Sequence, residues 1–306
     1  MIIDPRHLEQ IAAIIEHGTL REAARQLRTS QPALSRMIRH VEDRVGAKLF
    51  EPNSRPLVPT EICRTFARHG RSILAIRSKA AEDVQLDRSG MIGELRVGAP
   101  PFLCERLVGD AIASFLRERS GIRFNLTAQY FPDLERKLLT NQVDLIICPL
   151  RHLTLPKPDL SVERLFEDKH VVVARAAHPL TSEHRITVEH LERAIWISHA
   201  QASILRTDMA TALSSVGIRN PKISFQTESA GSVLEMLRST DFLTVLPSYA
   251  ISDTDMDKGL CSLPIMLETP PMIVGLVTAM DQPKSKLQSA FEIHLKTCAV
   301  NKIQHT

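Results

Sequence analysis

Residues 19–46 read TLREAARQLRTSQPALSRMIRHVEDRVG, and they predict the fold of the first part of the chain. Thr19 and Glu22 have the spacing of a capping box, which predicts the start of a short helix. A tight connection follows, in which Ser30 is placed to cap a second helix over residues 31–45. Two helices joined in this way, with apolar residues where they cross, predict a helix-turn-helix.

The flanking residues complete a small domain around this motif. Asp4 followed by Pro5 is typical of a helix start, and Gly18 supplies the end of that first helix. Beyond the motif, two short apolar segments at 49–51 and 57–58 enclose a turn rich in proline. They predict a two-stranded wing. We therefore expect a winged helix-turn-helix domain over residues 1–59, with the motif at about 19–39.

A single long helix, capped by Thr60, is predicted to form a linker over residues 60–90. Its apolar residues recur at spacings of four and three, which is the seam of a coiled coil and favours a dimerisation helix. The alternative is an amphipathic helix packed on its own chain, which the polar seam positions His69 and Asp83 favour. The proposed dimerisation seam consists of Ile62, Phe66, His69, Ile73, Ile76 and Ala80.

The remaining residues, 91–306, alternate between strand and helix patterns. The first five predicted elements have the order strand, helix, strand, helix, strand, which indicates a parallel sheet covered by helices. Roughly 210 residues of this pattern suit two α/β subdomains with a cleft between them. The fold class predicted for the chain is therefore α/β, with a helical N-terminal domain.

Charge and composition restrict the function further. Residues 1–89 hold 15 Lys and Arg against 11 Asp and Glu, whereas the rest of the chain holds 23 against 24. The excess positive charge therefore lies in the N-terminal third, as expected of a part that meets a polyanion. We find no apolar run of 18 residues and no secretory signal, so we expect a cytoplasmic protein without a membrane segment.

An enzyme and a redox sensor are the alternatives to a DNA-binding protein. The chain has no GxGxxG, P-loop, GxSxG or HExxH motif, so we expect neither an enzyme nor a bound cofactor or metal. Glu167 and Asp168 stand beside Lys169 and His170, but neighbouring residues on a strand point to opposite faces, so we interpret them as a solvated strand end. The five cysteines form no CxxC pair, and redox sensing stays open only if the fold joins Cys104 to Cys148.

The run EAARQLRTSQPALSRMIR at residues 22–39 resembles the LysR-type transcriptional regulators, as do Val41, Glu42 and Gly46 and the residues 49–50 and 59–61 that follow. The resemblance continues more weakly at 93–98, 143–146, 178–180 and 246–247. It implies a sequence-specific DNA-binding regulator controlled by a small-molecule effector. It further implies a C-terminal part that folds like a periplasmic binding protein, with two crossover strands near 160–166 and 263–267.

On this basis the first effector-binding subdomain is predicted over 91–162 and 268–306, and the second over 163–267. The predicted partners are double-stranded DNA, a second copy of the chain in a homodimer that pairs into a homotetramer, and the effector. RNA polymerase is a further candidate partner.

The predicted DNA contacts lie mainly at the start of the third helix. Gln31 can bridge adenine, Arg36 can fork onto guanine, and Pro32 can pack on a thymine methyl group. Hydroxyl groups near helix N-termini can donate to phosphates, and Arg55 at the wing tip suits a minor-groove or backbone contact. The alternative for each is a solvated polar surface. The predicted set is Thr19, Thr29, Ser30, Gln31, Pro32, Ser35, Arg36, Arg39 and Arg55.

The predicted effector contacts lie where strands end and helices begin. Pro100–Phe102 stand where the family often offers Ser or Thr to an anionic effector. We therefore expect an effector with an apolar body, or one whose carboxylate is held from the 198–203 side. The predicted set is Pro100, Pro101, Phe102, Gln129, Pro149, Ser198, His199, Gln201, Ser203, Thr227 and Glu228.

Overall fold

The structure is a computed structural model of the 306-residue chain. It describes residues 3–52, 54, 56–89, 93–153, 159–199, 204–251, 259–280, 282 and 284–303. Three parts follow one another along the chain: a helical N-terminal domain, one long helix, and two α/β subdomains. This architecture confirms the predicted fold class.

The N-terminal domain consists of α1 (Pro5–His17), α2 (Leu20–Gln26) and α3 (Gln31–Val45). Gly18 and Gly46 end α1 and α3 in the left-handed conformation that glycine adopts most readily. A short ribbon follows α3, held by a β-bridge between Phe50 and Pro59 and by a hydrogen bond of 2.8 Å from Glu51 N to Val58 O. The wing is thus present in minimal form.

The linker helix α4 (Glu61–Ser89) carries three different faces. Cys63 and Ala67 are buried in the core of the N-terminal domain, where α4 packs on α1. About 100° around the helix, Arg68 Nε donates to Asp159 Oδ1 of the C-terminal part over 2.6 Å. The third face, which carries the predicted seam, includes Ile76 with 55% of its surface exposed.

The first C-terminal subdomain is built on a sheet of five strands in the order β2-β1-β3-β10-β4. The first three strands are parallel to one another, as predicted, while β10 and β4 are antiparallel to their neighbours. Helices 101–118 (α5) and α10 pack on one face and α6 on the other. The strands are β1 (Gly93–Ala99), β2 (Ile122–Ala128), β3 (Leu145–Pro149), β4 (Leu160–Asp168) and β10 (Met272–Ala279), and the helices are α5, α6 (Asp133–Leu139) and α10 (Lys286–Ile303).

The second subdomain repeats this arrangement with the order β7-β6-β8-β5-β9. Strands β7, β6 and β8 are parallel, and β5 and β9 run antiparallel to their neighbours. Buried side chains pack against both faces of the sheet. Its elements are β5 (His170–Arg175), α7 (Val188–Arg193), β6 (Ile195–Ser198), α8 (Ile204–Ser215), β7 (Lys222–Gln226), α9 (Ala230–Ser239), β8 (Phe242–Pro247) and β9 (Leu260–Ser262).

The crossovers between the subdomains lie farther along the chain than predicted. Strand β4 stays paired with β10 of the first sheet as far as Asp168, so the first crossing is at Lys169 and not within 160–166. Leu263 belongs to the core of the second subdomain, with Ile265 and Leu267 packed against it, so the return crossing follows these residues. Pairing with β10 explains the difference, because it extends the first sheet six residues past the predicted boundary at 162.

Candidate functional site

The exposed face of α3 is polar and basic. Gln31, Pro32, Arg36 and Arg39 are exposed and Ser35 is half-buried. At 100° per residue these five side chains fall within one face of the helix. The opposite face, which includes Leu34, Met37, Ile38 and Val41, is buried in the domain core. The predicted base-reading residues therefore project together from the surface of the domain.

Hydroxyl groups mark the starts of both helices of the motif. Thr19 Oγ1 accepts from Glu22 N over 3.2 Å, and Ser30 Oγ accepts from Ala33 N over 3.3 Å, so each caps its helix. Each hydroxyl keeps its own hydrogen for a phosphate oxygen. Thr29, between the two helices, is exposed.

Two of the arginines that were assigned to the DNA contact, Arg39 and Arg55, do not belong to this exposed set in the same way as Arg36. Arg39 Nε lies 3.4 Å from Ser35 O, so part of its hydrogen-bonding capacity is directed back to its own helix. Arg55 lies outside the described residues.

The predicted dimerisation seam is mostly exposed in the single chain. Ile62, His69, Ile76 and Ala80 are exposed, whereas Ile73 is half-buried. Phe66 is the exception, since it packs partly against the core of the N-terminal domain. The alternative of a helix packed on its own chain thus applies to the Cys63 face of α4 and not to the seam.

The cleft between the two subdomains lies at the carboxyl ends of parallel strands from both sheets. In the first sheet, Pro100 directly follows β1 and Pro149 is the last residue of β3. In the second sheet, His199 directly follows β6 and Pro247 is the last residue of β8. In open α/β sheets this edge is where ligands bind. The topology thus places the candidate ligand site between the subdomains.

The cleft is closed. Phe102, at the start of α5 in the first subdomain, is buried in the core of the second, against Val173, Ile197 and Leu246. The enclosed cavity has a volume of only about 20 Å³. That is room for about one water molecule, whereas ligand sites usually measure about 300–1,000 Å³.

Charged and ionisable side chains meet across this closed cleft. Arg151 follows β3 in the first subdomain, and its Nη2 lies 2.5 Å from Asp208 Oδ2 on α8 of the second. The same Nη2 is 3.1 Å from His170 Nε2, and His152 Nε2 is 3.4 Å from Asp208 Oδ2. None of these four residues was assigned to the cleft from the sequence, although Arg151 and His152 lie two and three residues after Pro149, at the end of a predicted strand.

Burial sets the ionisation of the cleft. It lowers the pKa of His170 to about 4, with the positive charge of Arg151 as the second cause. Burial also lowers the pKa of His199 to about 4, against an opposing hydrogen bond to the backbone of Thr227. Burial raises the pKa of Tyr130 above its usual value, helped by the charge of Glu228. The two histidines and the tyrosine are therefore neutral near pH 7.

Within the described part of the chain, four buried polar atoms near the cleft have no hydrogen-bond partner: Nδ1 of His170, Nδ1 of His199, the Tyr130 hydroxyl and Oε1 of Gln129. Buried polar groups are normally paired, so unpaired ones call for an explanation. Three of the four residues line the cavity itself, namely Tyr130, His170 and His199. The walls therefore hold unused hydrogen-bonding capacity of the kind that a ligand uses.

Only some of the predicted effector residues line the closed cavity. Pro100, Phe102, Pro149 and His199 line the cleft. Ser198 is buried and its hydroxyl donates to His199 O, while Thr227 Oγ1 accepts from Ser229 N. Both side chains therefore make hydrogen bonds to the backbone of their own loops. Glu228 is exposed. Pro101, Gln129, Ser198, Thr227 and Glu228 do not line the closed cavity, and Gln201 and Ser203 lie outside the described residues.

The interpretation of Asp168 and His170 as part of a solvated strand end is wrong. Asp168 accepts hydrogen bonds from Ser248 Oγ and Tyr249 N, and burial raises the pKa of its carboxyl group. His170 is buried at the start of β5. The pairing of β4 with β10 up to the crossover encloses this segment, which explains the error.

A second, larger cavity of about 460 Å³ lies behind this crossover, lined by Phe166, Asp168 and Tyr249 among others. Tyr249 also lines the cleft, so its side chain borders both spaces.

The cysteines have the properties of structural thiols. Leu145 and Ile147 of β3 pack in the cluster that contains Cys104, whereas Cys148 packs in the cluster on the opposite face of the sheet. All five cysteines are free. Burial raises the pKa of Cys104 and Cys148 to about 12, which keeps both as unreactive thiols. The redox alternative therefore has no support from the fold.

No group of three or more His, Cys, Asp or Glu side chains within the described residues is arranged to hold a metal ion. None of the helices in the described part of the chain combines the length and the apolar character needed to cross a membrane.

Two family models match the chain. Residues 5–64 match the bacterial regulatory helix-turn-helix protein, lysR family. Residues 88–298 match the LysR substrate binding domain. Together the matches cover the N-terminal domain and both α/β subdomains.

The chain is also similar to individual proteins of this kind. The chain is 29% identical to the SDS degradation transcriptional activation protein of a Pseudomonas species, over 85% of this chain and 84% of that protein. It is 28% identical to the transcriptional activator protein LysR of Escherichia coli, over 96% and 93% of the two chains. The solved structure of full-length CbnR in complex with its target DNA shares the fold, with a TM-score of 0.54, 17% identity and coverage of 97% and 100%.

Proposed function

The chain belongs to the LysR family of bacterial transcriptional regulators, and from this premise we propose how its own residues carry out regulation. It combines a helix-turn-helix DNA-binding domain with an effector-binding domain. We propose that α3 reads the operator, that α4 joins two copies, and that an effector between the α/β subdomains controls the dimer. The observation that supports this most strongly is the position of α3. Its apolar face is buried in the domain core, and its polar face is exposed.

The DNA-reading step follows from the chemistry of that face. An exposed α3 fits the major groove, where Gln31 can bond adenine N6 and N7 and Arg36 can bond guanine O6 and N7. Pro32 and Ser35 contact the neighbouring base edges. Thr19, Thr29, Ser30, Arg39 and Arg55 hold the sugar-phosphate backbone and fix the register without reading sequence.

Alanine substitutions distinguish base contacts from phosphate contacts. Gln31→Ala or Arg36→Ala should weaken binding to the operator by about 1–3 kcal/mol and barely affect binding to random DNA. Arg44→Ala is the matched control, since Arg44 is an exposed arginine near the other end of the same helix. Fluorescence anisotropy at fixed salt measures each affinity. Equal losses on both DNAs would assign Gln31 and Arg36 to the phosphates and contradict the proposal.

Dimerisation is proposed through the exposed seam of α4. A two-fold pair of α4 helices would cover Ile62, Ile76 and Ala80, and it would set two α3 helices to read two half-sites. Pairing of dimers into tetramers is part of the same proposal.

Effector control is proposed to act by opening the closed cleft. Binding must separate Phe102 from the core of the second subdomain, since the present cavity is too small for an effector. The crossovers at Lys169 and after Leu267 are where the two subdomains would turn relative to each other. We further propose a cytoplasmic regulator without cofactor or catalytic activity that acts on RNA polymerase at the promoter.

A further inference from the structure

An ion pair holds the cleft closed. Arg151 and Asp208 come from different subdomains, and their side chains are only 28% and 13% exposed. The guanidinium also contacts His170 and Met272 Sδ at 3.1 and 3.6 Å. Opening the cleft must break the contact between Arg151 and Asp208, because the two residues lie on opposite walls.

The loss of that contact is unfavourable unless another anion replaces it. Removing one partner of a largely buried ion pair leaves a poorly solvated charge, which strongly destabilises a protein. His170 is neutral near pH 7 and belongs, like Asp208, to the second subdomain, so it offers no compensating negative charge. A neutral ligand in the opened cleft would leave the guanidinium uncompensated. A ligand carboxylate would restore the planar, two-oxygen partner that arginine prefers.

The rest of the cleft defines the other part of the ligand. Displacing Phe102 leaves an apolar space of aromatic size between Pro100, Pro149 and Leu246. The Tyr130 hydroxyl and Nδ1 of His170 and His199 have no partner among the described residues of the closed state, so they can bond neutral polar groups on the ligand body. Resting on the proposed effector function, we propose that the effector is a small organic acid whose carboxylate replaces Asp208 on Arg151 and whose apolar body replaces Phe102.

Asp208 thereby acts as a built-in competitor of the effector. Every ligand that binds must first displace this carboxylate from Arg151, so the ion pair sets the effector concentration at which the cleft opens. The anchor lies on the first subdomain, after β3, and not on the 198–203 side that the sequence suggested.

Thermal unfolding of the full chain tests the proposal with paired probes. The panel consists of aliphatic and aromatic mono- and dicarboxylic acids, such as hexanoate, adipate and benzoate, each beside its amide. At least one acid should raise the melting temperature while its amide leaves it unchanged. Asp208→Asn should strengthen binding of that acid about tenfold, because the competing charge is gone. Arg151→Gln should abolish its effect, and Arg151→Lys should retain part of it.

Arg175→Gln is the control, because it breaks an ion pair of 2.7 Å with Asp241 away from the cleft and should leave the acid's effect unchanged. If Arg151→Gln does not fold, Asp208→Asn decides alone, and an unchanged or weaker affinity for the acid overturns the proposal. Stabilisation by amides, sugars or amines but by no acid also overturns it, while leaving effector binding intact. A chain that no compound stabilises would contradict effector binding itself.

Discussion

Single side chains in the cleft are held in states that they would not adopt in water. His170 and His199 are buried neutral, with Arg151 beside the first and the backbone of Thr227 beside the second. Asp208 and His152 complete the ionisable groups around His170. A proton added to His170 would set a second positive charge against Arg151, so closing the cleft and protonating this ring oppose each other.

The stability of the chain should therefore depend on pH. Unfolded histidine binds its proton near pH 6.5, whereas His170 and His199 do so only near 4. Between these values the unfolded chain holds more protons, so the free energy of unfolding should fall as the pH falls, by about 1.4 kcal/mol per pH unit for each histidine. Denaturant titrations at pH 7, 6 and 5 measure the slope. The double variant His170→Gln/His199→Gln should flatten it, whereas the exposed control His184→Gln should not.

At the scale of elements, the close packing of α4 on α1 depends on one glycine. A Cβ atom added at Gly70 would lie 2.0 Å from the carbonyl oxygen of Leu8 in α1, which is far inside van der Waals contact. Backbone atoms of a packed helix have little freedom to withdraw. Gly70 thus sets the separation of the two helices, and through it the direction in which α4 leaves the N-terminal domain.

Two glycine-to-alanine changes should have opposite signs for this reason. Alanine usually stabilises a helix by up to about 1 kcal/mol relative to glycine. Gly231→Ala in α9 should do so, since no atom of the described residues lies within 4 Å of its added Cβ. Gly70→Ala should instead destabilise the chain by about 1–3 kcal/mol through overpacking. Chemical denaturation followed by circular dichroism measures both changes, and stabilisation by Gly70→Ala would show that α1 and α4 are not packed in this way.

Elements with a local signal were predictable, and contacts between distant parts were not. The capping residues and terminal glycines of α1 and α3 predict where these helices begin and end, because a cap is a hydrogen bond between residues that are close in sequence. Phe102 was predicted to meet an effector, but nothing near it in sequence indicates that it enters the core of the other subdomain. Likewise, the partnership of Arg151 with Asp208 spans 57 positions and depends on how the subdomains close.

At the scale of the whole molecule, the exposed seam of α4 connects the fold to its proposed assembly. Ile76 is 55% exposed although it is a large apolar residue on a long helix. The helix is also anchored on both of its other faces, by α1 and by Asp159 of the first subdomain. A second copy that packs on the seam would bury these apolar side chains and hold the two α3 helices at a fixed spacing.

A charge on the seam should therefore separate the dimer without unfolding the chain. Ile76→Asp should give a folded monomer in analytical ultracentrifugation, because the side chain is already exposed in the single chain. Its operator affinity should fall at least tenfold, since each half-site loses its tethered partner. Ala81→Asp is the control and should remain dimeric, because Ala81 is exposed about 140° around the same helix from Ile76. A dimeric Ile76→Asp would exclude the seam as the interface.

Sequence-specific reading of DNA by α3 can be measured by sequencing the genomic DNA fragments that the purified chain retains. A two-fold dimer that reads DNA through two α3 helices should select one recurring motif, made of inverted half-sites whose centres lie about one helical turn apart. The Arg36→Ala variant should retain fragments in which a conserved guanine of that motif is relaxed, while the half-site spacing stays the same. Retained fragments that share no motif, or an unchanged motif with Arg36→Ala, would contradict sequence-specific reading by α3.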